Sequence, residues 1–86
     1  MLGLVNHIVP AANLLDEALT LANLLATKPP LTVAAMLGAI HRGMDASIDE
    51  GLAIEEAAFA RIVPTHDARE GVAAFLEKRA PRFLGR

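Results

Sequence analysis

The sequence predicts an all-α unit of three main helices plus a short fourth, preceded by a short strand remnant. Three observations predict it. Apolar residues recur at helical spacing in four blocks. Prolines and cap-like pairs punctuate those blocks: Pro29-Pro30, Ser47 with Glu50, and Pro64 ahead of Asp67 with Glu70. The apolar residues are mainly Leu, Ala, Ile and Val, with no Trp or Tyr and three Phe, a composition that favours helices.

The opening run, Leu4 to Val9, ends at Pro10, and its Val5, Ile8 and Val9 suit extended backbone. No second strand pattern follows, and a strand this short is unstable unpaired, so the run points to a sheet upstream. From about Ala12 to Thr27, Leu15, Ala18, Leu19, Ala22 and Leu25 recur at helical spacing, with Leu14 and Leu21 widening the stripe. Pro29 and Pro30 stop this first helix. Pro30 can open the second, because the first turn does not need its missing N–H. That second helix runs to about Arg42 with almost no polar face, which predicts burial on several sides.

Ser47 and Glu50 have the spacing of a capping box and start the third helix. On a helical projection Ile48, Leu52, Phe59, Ile62 and Val63 share one face, with Glu55 in the middle of it. Asp67 and Glu70 repeat the cap spacing and open a fourth helix to about Arg79, with Ala68, Val72, Phe75 and Leu76 as its stripe. Pro81 ends regular structure, leaving Arg82 to Arg86 as a short tail.

Residues 1–86 therefore make a single helical unit of one domain at most. A core of small aliphatic residues in so short a chain is marginal alone, the length being close to the roughly 70–80 residues at which single cores begin to need a staple or partner. Cysteine is absent, which excludes disulfides and thiolate metal sites. The first cation is Lys28, so residues before it lack the positive start of a secretory signal, and the expected location is cytoplasmic. The apolar stretches are broken well short of the ~20 residues a membrane helix requires.

Charge is unevenly spread. Residues 1–60 carry Lys28 and Arg42 against seven carboxylates, whereas from Arg61 onward six cations stand against three carboxylates. A basic end of this size suits a phosphate, an acidic partner or the acidic half of its own fold. Nucleic acid is disfavoured, because no basic stripe is interleaved with aromatic residues.

Candidate chemistry is sparse. His7, His41 and His66 lack the spacing of converging metal ligands. Ser47 is accounted for by its cap. Glu55 and Glu56 are adjacent, so on a helix they point about 100° apart and cannot form a facing acid/base pair. Glu55, placed on an apolar face, is expected to be a buried carboxylate held by Arg69 or Arg79. Phe75 and Lys78, three apart on the fourth helix, could stack on a nucleotide base and hold its phosphate. On the residues alone, the preferred reading is a core ring and a solvated charge.

A long set of residues resembles the C-terminal part of the crotonase (enoyl-CoA hydratase/isomerase) family. It comprises Gly3-Leu4-Val5-Asn6 with Ile8-Val9-Pro10, Lys28-Pro29-Pro30, and Glu50-Gly51-Leu52 with Glu55 and Phe59. The most specific part is the run from Thr65 to Arg79, followed by Pro81 and Phe83. The resemblance implies a helical segment that makes oligomer contacts. It also implies that the spiral catalytic core, with its oxyanion hole and carboxylates, is absent from residues 1–86. Phe59, Phe75 and Lys78 match positions that in the family reach the adenosine and phosphate end of CoA in a neighbouring subunit. The parent substrate is a CoA thioester, and no covalently bound cofactor is implied.

Two features depart from the family. Leu37 stands where many relatives carry a lysine, and Gly38 beside it predicts a distorted or differently packed second helix. The chain also starts at Met1, where the preceding core helix of the family hands over. The expectation is a self-associating, CoA-edge segment that does not catalyse alone and whose partner is a copy of itself or a crotonase core. The rivals are a free-standing helical interaction module and a complete small enzyme using Glu55 or Glu56.

Overall fold

The computed structural model describes residues 2–86. A single 3-10 turn, Ala11–Asn13, leads into α1 (Leu14–Ala26), followed by α2 (Pro30–Met44), α3 (Ile48–Ile62) and α4 (His66–Glu77). Each boundary has a local cause. Asp16 and Glu17 lie in the first turn of α1, where negative charge suits the positive end of the helix dipole. Thr27 closes that helix, its hydroxyl donating to the Leu24 carbonyl at 2.6 Å. Extended Pro29 then sets Pro30 at the start of α2.

The turn between α2 and α3 is three residues long, and a reciprocal capping box fixes where α3 begins. The Glu50 N–H donates to Ser47 Oγ at 3.3 Å, and the Ser47 N–H donates to Glu50 Oε2 at 3.1 Å. The Ser47 N–H and, second in effect, the Ser47 hydroxyl, which also donates to Glu50 Oε2 at 3.1 Å, hold the Glu50 carboxyl below its ordinary pKa.

α2 and α3 form the one extensively packed helix pair. They meet through small residues. A Cβ placed on Gly51 would lie 3.8 Å from the Gly43 carbonyl oxygen, so the two backbones approach to within ordinary contact of a single methyl group. Ala39 is half-buried in this seam and Ala58 is buried, while Ile54 and Ile62 supply the larger part of what α3 turns inward.

The remainder is open. The radius of gyration is 16.2 Å, against about 12 Å for a compact chain of this length. The accessible surface is 7315 Å², against about 4,900 Å² for a compact monomer of this mass. Among the described residues only Ala58, Ala74 and Asp67 are buried. Leu15, Leu19, Met36, Leu37 and Leu52 are all more than half exposed.

Several expectations change. Leu4 to Val9 forms no strand; Leu4 is 84% and Ile8 81% exposed, and no partner edge exists among the described residues. The stripe of Ile48, Leu52, Phe59 and Val63 faces solvent rather than the interior, because the close helix approach selects Gly51, Ile54, Ala58 and Ile62 instead. α2 runs unbroken through Gly38 to Met44, so the glycine does not distort it.

A methyl group at position 38 would meet nothing within 4 Å. Gly38→Ala should therefore stabilise α2 by about 0.5–1 kcal/mol, the propensity difference between the two residues. An equilibrium urea titration followed by helical circular dichroism measures this. A midpoint that falls would show that the glycine is needed for packing.

Candidate functional site

The candidate residues do not converge on one surface. Phe59 lies on α3 and lines a groove of about 570 Å³ between α2 and α3, together with Met36, Ile40, Met44, Glu55 and Ala58. Phe75 and Lys78 lie at the far end of α4, outside that lining. Among the described residues no three of His, Cys, Asp and Glu come together as metal ligands.

Glu55 is exposed beside the groove, not a buried carboxylate, and neither Arg69 nor Arg79 pairs with it. The buried acid is Asp67. It does not cap α4 either: Thr65 does, its Oγ1 accepting from the Ala68 N–H at 3.1 Å and donating to the Ile62 carbonyl at 2.7 Å. Asp67, one turn position further in, is freed to hold the C-terminal tail.

That tail, Pro81 to Arg86, lies back along α4 as a strap. The Leu84 N–H donates to Asp67 Oδ1 at 2.7 Å and the Gly85 N–H to Asp67 Oδ2 at 2.8 Å, while the Asp67 N–H donates to the Arg86 carbonyl at 3.0 Å. The Phe83 ring covers Gly71, where an added Cβ would sit 3.6 Å from the ring edge. Gly85 takes φ +75°, a backbone region that L side chains avoid, and lies beside Pro30 at the start of α2. The strap thus joins the beginnings of α2 and α4.

Glu70 makes a second clamp one turn along. Its oxygens accept from Arg79 Nη1 at 2.6 Å and Nη2 at 3.1 Å, and the Arg82 N–H donates to Oε1 at 2.8 Å. The forked guanidinium matches a carboxylate in this two-bond geometry. Arg79 Nε also donates to Glu77. The Arg79 bonds first, and then the Arg82 amide, hold the Glu70 carboxyl down to about 2. Burial alone would raise the Asp67 pKa, but the Leu84 amide, His66 and the Gly85 amide together outweigh it and lower the value.

α4 stops at Glu77, so Lys78 is not on the helix. It adopts φ 55°, ψ 42°, and its N–H donates to the Phe75 carbonyl at 3.3 Å while the Arg79 N–H donates to that of Ala74 at 3.0 Å. This bond pair ends a helix in the Schellman manner, with Lys78 at the left-handed position glycine normally takes. A left-handed conformation costs an L-residue roughly 1–2 kcal/mol. Phe75 is 82% exposed, so its ring packs into no core among the described residues. Arg79 is engaged by Glu70 and Glu77, whereas the side chains of Lys78 and Arg82 form no ion pair among the described residues.

Comparison with known proteins gives one consistent result. The profile of the enoyl-CoA hydratase/isomerase family matches residues 1–86. The chain is 44% identical over 90 residues to the human enoyl-CoA hydratase domain-containing protein 2, mitochondrial, covering 100% of this chain and 31% of that protein. It is 38% identical over 84 residues to 2,3-dehydroadipyl-CoA hydratase of Escherichia coli, covering 98% of this chain and 33% of that one. A crystal structure of an enoyl-CoA hydratase/isomerase from Mycobacterium paratuberculosis superposes with a TM-score of 0.93 at 34% identity, over 98% of this chain and 33% of that chain. The chain therefore spans about a third of the length of the relatives it matches.

The strap should respond to acid in a defined direction. Both carboxylates have lowered folded-state pKa values, so their contribution is complete above the ordinary carboxylate range. It is lost as pH falls through the folded values, toward about 2 for Glu70. Amide resonances of Arg82, Leu84 and Gly85, followed by NMR from neutral pH downward, should move only below that ordinary range. Midpoints at or above it would contradict the clamp. At neutral pH, Asp67→Asn should speed amide exchange at Leu84 and Gly85 by about tenfold, because hydrogen bonds to a charged acceptor are the stronger kind.

Proposed function

The chain belongs to the enoyl-CoA hydratase/isomerase family, and from that premise we propose that it is the C-terminal oligomerisation and CoA-edge segment of such a protein, not catalytic alone. One observation carries the reading. The chain exposes about 2,400 Å² more surface than a compact monomer of its mass would, and much of it is Leu, Met and Ile on α1, α2 and α3. Contiguous apolar area beyond a few hundred Å² marks a surface that another body covers. Here that body is a second copy of the chain or the spiral core of a family protein.

The CoA edge is the second half of the proposal. Phe75 offers an exposed ring and Lys78 an unpaired ammonium at the same end of α4, which suits the adenosine and phosphate end of a CoA thioester. Phe59 belongs to the apolar groove, and its contribution in this reading is to a wall completed by the covering body. The similar Escherichia coli protein is a 2,3-dehydroadipyl-CoA hydratase by name, which fits a CoA thioester as substrate of the whole protein. A cytoplasmic setting is part of the same proposal, although the similar human protein carries a mitochondrial name. Among the described residues no helix is long and apolar enough to cross a membrane.

Hydration of an enoyl thioester needs fixed donors aimed at the developing oxyanion, together with positioned acid and base groups. Glu55 and Glu56 are exposed in the middle of α3, where backbone N–H groups are spent on the helix's own bonds. Purified chain mixed with crotonyl-CoA should show no loss of the enoyl absorbance above the buffer rate. Turnover that survives repurification and disappears with Glu55→Gln would overturn the proposal in favour of a small complete enzyme.

A further inference from the structure

We propose that Glu70 and Arg79 are positioning residues: they hold Lys78 in its left-handed conformation and so present its ammonium, at the Phe75 end of α4, to the phosphate of an adenosine nucleotide. The inference rests on the reading of Lys78 as a phosphate contact given above, and it adds the device that places it.

Lys78 is the one non-glycine residue with positive φ among those described. Glycine would fit the backbone there without strain, as Gly85 does at its own turn. A lysine at that position therefore does nothing for the helix ending. Its side chain is exposed and forms no ion pair among the described residues, so it does nothing visible for packing either. Strain that a fold maintains without local benefit points to use of the side chain.

The surrounding bonds are what maintain it. On the helix side, the Lys78 and Arg79 amides return to the Phe75 and Ala74 carbonyls. On the far side, the Arg79 guanidinium and the Arg82 N–H are both fastened to Glu70, two turns back along α4. Lys78 is thus the apex of a reversal whose two limbs are pinned to the same helix. The clamp has an electrostatic consequence as well. Arg79 occupies both nearby acids, Glu70 and Glu77, leaving the Lys78 ammonium without a competing carboxylate while Arg79 itself is already committed.

The experiment uses the 86-residue chain, with adenosine 3′,5′-bisphosphate as the probe and heteronuclear NMR to read both affinity and amide exchange. Lys78→Gly should slow exchange of the Arg79 amide about fivefold, since the strain is relieved, while weakening probe binding about threefold or more. Lys78→Ala should weaken binding similarly without slowing exchange. Glu70→Gln is the decisive variant. It removes a negative charge, so electrostatics alone would strengthen binding of an anion; loss of the clamp should weaken it instead, with faster exchange at Arg79 and Arg82. Binding that is Lys78-dependent but unchanged or tighter in Glu70→Gln, despite that faster exchange, would overturn the positioning role alone. No binding by the unmodified chain at millimolar probe would overturn the phosphate reading and this inference with it. An Arg79 amide that exchanges no more slowly in Lys78→Gly would show that the left-handed turn is not strained.

Discussion

Leu15 and Leu19 on α1, Met36 and Leu37 on α2, and Leu52 and Phe59 on α3 all stand more than half in solvent. Water around such side chains is costly, at roughly 25 cal/mol for each Å² of apolar surface, and the four helices have too few residues to cover one another. The rest of the architecture follows from that shortfall. α1 has no extensive contact with another α-helix, the extents are 43 × 38 × 19 Å, and the interior is confined to a small-residue seam. Two such chains covering their excess on each other would bury about 4,800 Å² in total, within the range of permanent interfaces.

What the chain does organise by itself is polar and local. Capping at Ser47 and Thr65 fixes two helix starts, and the two carboxylates of α4 fix the tail. Hydrogen bonds to ionised groups are directional, so they order the strap without needing a large core beneath it. This explains how the Thr65 to Arg86 region keeps a definite shape although Val72, Phe75 and Leu76 of its helix face outward. The definite shape is what a ligand edge needs, and the outward apolar face is what a covering partner needs.

The sequence made the helices legible because most of their boundaries carry strong signals: the Pro29-Pro30 pair and the Ser47–Glu50 box act through the local backbone alone. The faces were not legible in the same way. Periodicity of large apolar residues assumes that the largest side chains pack inward, and here they point toward whatever lies outside, while Gly43, Gly51 and Ala58 make the internal contact. The strap was also hidden, because Asp67 and Glu70 have the spacing of a cap and only the three-dimensional return of Leu84 and Gly85 shows their use. Phe75 was read as part of the apolar stripe of its helix and stands in solvent instead, and the left-handed turn at Lys78 has no sequence signal, since glycine is the residue that ordinarily marks it. Glu55 went wrong for the same reason as the stripe it belongs to: the face taken as interior is solvent.

The central claim is that the apolar surface of this chain is covered by another body. Sedimentation equilibrium of the purified chain across micromolar concentrations, combined with small-angle scattering at the same concentrations, tests it most directly. The account predicts a mass of a dimer or larger, falling on dilution, with no population of compact monomer. A monomer at every concentration, unfolding cooperatively and scattering with a radius of gyration near the ~12 Å of a compact chain of this length, would contradict it.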